Sequence, residues 1–91
     1  MSERGGSIRV TLKLYASLTK YLPEPFRKNH AMPMEVGPDT TIAALIAPLG
    51  LPEGLVKLVV LNGVFVHPSE RAETRFADGD ALAIWPPIAG G

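Results

Sequence analysis

The residues of this chain best placed to do chemistry are its last ones, Trp85-Pro86-Pro87-Ile88-Ala89-Gly90-Gly91. Pro86 and Pro87 cannot donate ladder hydrogen bonds, so they stop a strand and hold the exit extended. At ~3.1 Å per residue, residues 86–91 would project roughly 19 Å. Gly90 and Gly91 carry no side chain, so a narrow tunnel accepts them and nothing shields the terminal carbonyl. A carboxylate is a poor electrophile. It becomes reactive only when a good leaving group is attached, as in a mixed anhydride such as an acyl-adenylate. The pattern points to Gly91 as the reactive residue, Gly90 as its clearance, and an enzyme that closes around both.

No other group competes for that role. The chain has no cysteine, which excludes a disulfide framework, a thiolate zinc site and a cysteine nucleophile. Its two histidines, His30 and His67, do not suggest a metal pair and read as surface residues. No glycine-rich phosphate loop is present, so no cofactor is expected on this chain, and ATP belongs to an activating partner.

Ninety-one residues make one small domain, and 46% apolar content is enough for one core. Nine basic and nine acidic residues cancel, which argues against general nucleic-acid binding. The halves do not cancel: residues 1–30 carry six basic against two acidic side chains, net +4, and residues 31–91 carry three against seven, net −4. No run approaches the ~18 apolar residues of a membrane span. The polar start lacks a secretory signal, and the expected location is the cytoplasm.

The elements that must position the tail can be read from periodicity. Ile8, Val10, Leu12 and Leu14 alternate with Arg9, Thr11, Lys13 and Tyr15, the mark of a half-buried strand. Residues 16–22 predict a short helical turn ended by Pro23, and residues 24–31 a loop. Met32–Val36 reads as a second strand, placed at an edge by Pro33. Thr41 offers a cap to a helix over 41–49, whose stripe is Ile42, Leu45, Ile46 and Leu49. Asn62-Gly63 predicts a two-residue hairpin between 57–61 and 64–67, and Ala81–Trp85 is the last strand. One helix and about five strands make an α+β layer pair, a mixed sheet with the main helix on one face. The expected organisation is a flexible start over 1–7, a single domain over 8–85 and an extended tail over 86–91.

The other sheet face must then meet solvent or a partner. Tyr15 and Trp85 lie on the polar-parity side of their strands. If Val59, Leu61, Val64 and Val66 face the helix, Val60 and Phe65 join them. Tyr15, Val60, Phe65 and Trp85 are therefore expected to form an exposed patch at the root of the tail, suited to a partner. Arg9 and Lys13 are expected at its rim as solvated charges. Pro86, Pro87, Ile88 and Ala89 extend the contact toward Gly90 and Gly91.

The closing run Asp78-Gly79-Asp80-Ala81-Leu82-Ala83-Ile84-Trp85-Pro86-Pro87-Ile88-Ala89-Gly90-Gly91 resembles the C-terminus of the MoaD family, the small subunits of molybdopterin synthase. The opening strand, the Asp39-Thr40-Thr41 helix start and the Leu61-Asn62-Gly63 hairpin match in the same order, so the likeness covers about residues 8–91. The closing motif is specific, and the remainder is shared across the MoaD/ThiS ubiquitin-like superfamily. The resemblance implies a β-grasp fold and a sulfur carrier that is not catalytic alone. It implies a MoeB-like adenylating enzyme acting on Gly91 and a sulfur donor, such as a cysteine desulfurase or a rhodanese-type protein, that converts the carboxylate to a thiocarboxylate. A MoaE-like large subunit would then receive the tail and pass sulfur to the cyclic pyranopterin precursor. Two alternatives stay open. Gly91 could form an isopeptide bond with a target lysine, as in a ubiquitin-like modifier, or the carrier could serve thiamine or tRNA thiolation.

Overall fold

The alternation that begins at Ile8 is realised in a computed structural model that describes residues 6–87. Five strands form one mixed sheet: β1 (Ile8–Leu14), β2 (Ala31–Val36), β3 (Leu58–Leu61), β4 (Val64–Phe65) and β5 (Asp80–Trp85). Their order across the sheet is β2-β1-β5-β3-β4. β1 and β5 run parallel, with Leu12 opposite Leu82 and Leu14 opposite Ile84. The other pairings are antiparallel. With one main helix packed on it, this is the β-grasp fold expected of the sequence.

The core follows from strand parity. Val10, Leu12 and Leu14 of β1, Val59 of β3, and Leu82 and Ile84 of β5 point to one side and are buried there with Ile42 and Leu45. Burying each such side chain contributes roughly 1.5–3 kcal/mol before entropy is counted.

The main helix, α2 (Ile42–Ile46), starts where Thr41 Oγ1 accepts a hydrogen bond from the Ala44 N–H at 3.1 Å. It tightens into a 3-10 turn over Ala47–Leu49 and stops at Gly50, whose φ of 74° favours a residue without a side chain. The tightening falls where Pro48 removes a donor from the helix. β2 lies at the sheet edge, as Pro33 required. The turn over Ala16–Tyr21 is a 3-10 helix that buries Leu18.

Two local expectations change. The predicted loop at 24–31 contains a helical turn, α1 (Glu24–Arg27). Pro25 favours its first turn, and Arg27 folds back so that Nε donates to the Leu22 carbonyl at 2.8 Å and Nη2 to the Lys20 carbonyl at 3.1 Å. Val64, assigned to the helix-facing side, is 66% exposed. It shares a face with its partner Leu61, but it stands next to the turn where the core no longer covers the sheet.

Candidate interface at the root of the tail

β5 carries the tail from the middle of the sheet, and its pairing continues on both sides to its last residues. The Tyr15 N–H donates to the Ile84 carbonyl at 3.2 Å, and the Lys57 N–H donates to the Trp85 carbonyl at 3.2 Å. Pro86 and Pro87 follow, and neither has an N–H with which to continue the ladder. Pro86 is half-buried and Pro87 exposed. The exit direction of the chain is thus set by strands on each flank.

The hairpin beside it is held equally closely. Asn62 and Gly63 have φ of 52° and 86°, the pair of positive values that a type I′ turn needs. Asn62 also clamps the hairpin to β5. Its Nδ2 donates to Asp80 Oδ1 at 2.8 Å, and its Oδ1 accepts from the Ala81 N–H at 2.9 Å.

On the face away from α2, the register places side chains in rows across the strands. One row runs Ala31, Lys13, Ala83, Val60 and Phe65. The adjacent row contains Trp85 and Leu58 as direct partners, with Tyr15 beside Trp85. Tyr15 stacks on Trp85 with ring centroids 4.6 Å apart and planes 9° from parallel. Val60 is half-buried opposite Phe65, and Phe65 is 42% exposed. The structure therefore brings Tyr15, Val60, Phe65 and Trp85 to one face, with Trp85 adjoining the first tail residue. Ile88, Ala89, Gly90 and Gly91 lie outside the described residues.

Two members of this surface were not expected. His30 stacks on the far side of Tyr15, with centroids 5.4 Å apart. Alternation along β2 would turn His30 toward the core beside Leu14, but its φ of 58° breaks the alternation. Thr19 Oγ1 donates to the Leu14 carbonyl and lies 3.0 Å from His30 Nδ1, which fixes the ring. Leu58, 39% exposed, is the other; its parity with Val60 was the available signal. His67 is exposed as expected and meets Phe65 edge-on at 4.7 Å.

The charges divide differently from expectation. Lys13 falls within the row, between Ala31 and Ala83. Arg9 sits at the opposite end of β1, with Nε 4.0 Å from a Glu35 carboxylate oxygen, and does not rim the patch. Among the described residues, no group of three acidic, histidine or cysteine side chains could hold a metal. Among the same residues, no helix is long and apolar enough to cross a membrane.

This arrangement is suited to binding. A stacked aromatic pair in a half-exposed apolar surface offers rigid area at small entropic cost, and the strand beneath it delivers the tail alongside whatever docks there.

Comparison with known proteins agrees with the geometry. The model of the ThiS family matches residues 22–91. The fold resembles the solution structure of the Haloferax volcanii HVO 2177 protein, with a TM-score of 0.72, 23% identity, and coverage of 100% of this chain and 93% of that one. It resembles the crystal structure of SAMP1 from Haloferax volcanii, with a TM-score of 0.63, 20% identity, and coverage of 91% and 99%. A third likeness is to a chain in the complex of subunits 1 and 2 of molybdopterin-converting factor from Helicobacter pylori 26695, with a TM-score of 0.57, 21% identity, and coverage of 92% and 100%. No curated protein matches the chain.

Proposed function

This chain belongs to the ThiS family of ubiquitin-like sulfur carriers, and we propose that it is the sulfur-carrying small subunit of a molybdopterin synthase, with Gly91 as the residue that bears the sulfur. The observation that carries the reading is the Tyr15–Trp85 stack at 4.6 Å, set where β5 gives way to Pro86-Pro87. It joins a docking surface to the start of an arm that ends in Gly90-Gly91. Residues 86–91 act as that arm.

The chemistry follows from the carboxylate. A Gly91 carboxylate oxygen attacks the α-phosphorus of ATP in an activating enzyme, pyrophosphate leaves, and an acyl-adenylate forms. The outer sulfur of a donor protein's persulfide then adds to the carbonyl carbon and AMP departs, leaving an acyl disulfide; a second thiol attacks the donor sulfur, forms a disulfide with it and releases the thiocarboxylate. This chain supplies the electrophile and the docking face, and the partners supply ATP binding and acid–base groups. Inside a large subunit, the thiocarboxylate sulfur bonds to a carbon of the pterin precursor as an oxygen leaving group departs, and water cleaves the resulting thioester, which leaves the sulfur on the pterin and restores the Gly91 carboxylate. That one neighbour is itself part of a two-subunit molybdopterin-converting factor supports a protein partner of this kind.

The test is intact-mass measurement after coexpression with an adenylating enzyme and a sulfur donor. The expected result is replacement of one oxygen by sulfur at the C-terminus. An unchanged mass, with the same enzymes active on another carrier, overturns the proposal.

A second reading is favoured by neighbours described as small archaeal modifier proteins. In it, the same activated Gly91 acylates a lysine Nζ of a target, AMP or a thiol leaving. Branched Gly-Gly remnants that vanish with the gene support conjugation, and their absence leaves sulfur transfer alone.

A further inference from the structure

The Asn62-Gly63 turn that joins β3 to β4 is also a reactive pair. In such a pair the backbone nitrogen of the glycine can attack the side-chain amide carbon of the asparagine, because glycine has no side chain to obstruct the approach. Gly63 stands in open surface, where a Cβ would meet nothing within 4 Å. Asn62 is exposed to the water that the reaction consumes.

The attack needs an Asn62 amide that is free to turn toward the Gly63 nitrogen, and the fold holds that amide at both ends. Nδ2 donates to Asp80 Oδ1 at 2.8 Å, and Oδ1 accepts from the Ala81 N–H at 2.9 Å. The Asn62 N–H donates to the Ala81 carbonyl at 2.9 Å, which anchors the backbone as well. Asp80 is itself fixed, because its Oδ2 accepts from the Ala77 N–H at 2.8 Å. All three Asn62 bonds join the hairpin to β5, so all three are lost together when the two separate.

We propose that Asn62 is a deamidation site gated by the fold, closed while the hairpin lies on β5 and reactive when it opens. Hydroxide or a buffer base takes the Gly63 amide proton, and the nitrogen bonds to Asn62 Cγ. The side-chain nitrogen, protonated by the conjugate acid of that base, leaves as ammonia. Water then opens the resulting succinimide to aspartate or isoaspartate. Aspartate at this position keeps one oxygen for the Ala81 N–H but sets the other, in place of a donor, against Asp80 Oδ1. Like charges in contact disfavour the ionised pair. Asp78, in the same turn, bonds the Arg9 N–H, and the Arg9 guanidinium lies 4.0 Å from Glu35, so Asp80 is the charge that meets the product. Isoaspartate instead adds a carbon to the backbone of a two-residue turn. Either product weakens reclosure onto the strand that carries Trp85, and the modification marks chains that have opened. The proposal is independent of the reading of Gly91, because it concerns only the hold of the hairpin on β5.

The test is incubation of the full chain in mildly alkaline buffer, with peptide mapping by mass spectrometry to follow residue 62. The folded parent is compared with the same chain unfolded in guanidinium chloride and with Asp80→Ala. Deamidation of the folded parent is expected to be ~100-fold slower than that of the unfolded chain, the scale of three hydrogen bonds. Asp80→Ala is expected to react ~tenfold or more faster than the parent, the scale of one charge-assisted bond. Equal rates in the folded and unfolded parent overturn the gate, as does a folded Asp80→Ala chain that reacts no faster than the parent. The first comparison uses no substitution, so the test stands if that variant does not fold. Asn62→Asp reads the product. A like charge raises a carboxyl pKa in the folded chain, so the deficit of this variant in urea midpoint is expected to shrink as pH falls into the carboxylate range. A deficit that does not change with pH overturns the contact between the product and Asp80.

Discussion

Tyr15 and Trp85 come from strands at opposite ends of the sequence, yet their rings lie 4.6 Å apart and nearly parallel. The parallel register of β1 and β5 makes this possible by bringing the end of the first strand beside the end of the last. The stack fixes the side chain immediately before Pro86, so the aromatic surface and the exit from β5 are held together.

Trp85→Ala is accordingly expected to weaken binding to the adenylating partner by ~30-fold or more, as for a central aromatic anchor. Loss of the stack costs the free domain about 1–2 kcal/mol. Calorimetric titration and urea unfolding separate the two effects. A stability loss above about 4 kcal/mol would place Trp85 in the core instead.

Phe65→Ser tests the same face without the stack. The side chain is 42% exposed, so unfolding stability should change by only about 0.5 kcal/mol. Partner affinity should still fall ~tenfold or more. Unchanged affinity would confine the interface to the Tyr15–Trp85 side of the surface.

Much of this surface could be read from the chain alone. Alternation placed Tyr15 and Trp85 opposite the core residues Leu14 and Ile84, and the Asn62-Gly63 signal set Val60 against Phe65. Both follow from local rules of period two and of turn chemistry. His30 escaped because one left-handed residue reverses the face, and nothing in a histidine's identity announces that. α1 escaped because four residues contain no period, and its stabilising contacts are Arg27 bonds to carbonyls up to seven residues away. Phe76 is buried from a segment without alternation, where its N–H donates to the Thr40 carbonyl at 3.4 Å. Such tertiary placement leaves no trace in spacing.

Asn62→Ala should destabilise the domain by about 2–3 kcal/mol. It removes two side-chain hydrogen bonds to β5 and places alanine at a positive φ. Asn62→Gly relieves the backbone but not the lost bonds, so its unfolding midpoint should fall between those of the alanine variant and the parent.

Leu18→Ala should cost about 2–5 kcal/mol, because its side chain is wholly buried from within a 3-10 turn. A smaller loss in urea unfolding would show that the turn at Ala16–Tyr21 collapses onto the cavity or is peripheral to the core.

Appending one residue after Gly91 should abolish sulfur loading while leaving the thermal midpoint unchanged. Intact mass and calorimetry read the two. Loading of the extended chain, with the extension still present, would exclude the terminal carboxylate as the reacting group.

The sheet order has a consequence for biosynthesis. β5 is the last strand in the sequence but occupies the middle position, between β1 and β3. Without that strand, the β1–β2 and β3–β4 pairs have no hydrogen-bonded neighbour in common. Non-local pairing of this kind is slow and cannot begin early. The sheet therefore closes only after Trp85 has left the exit tunnel, so the strand that completes the fold is also the one that carries half of the Tyr15–Trp85 stack. A chain cut short before β5 would lack the strand that joins the two halves of the sheet, and with it Trp85 and the stacked surface.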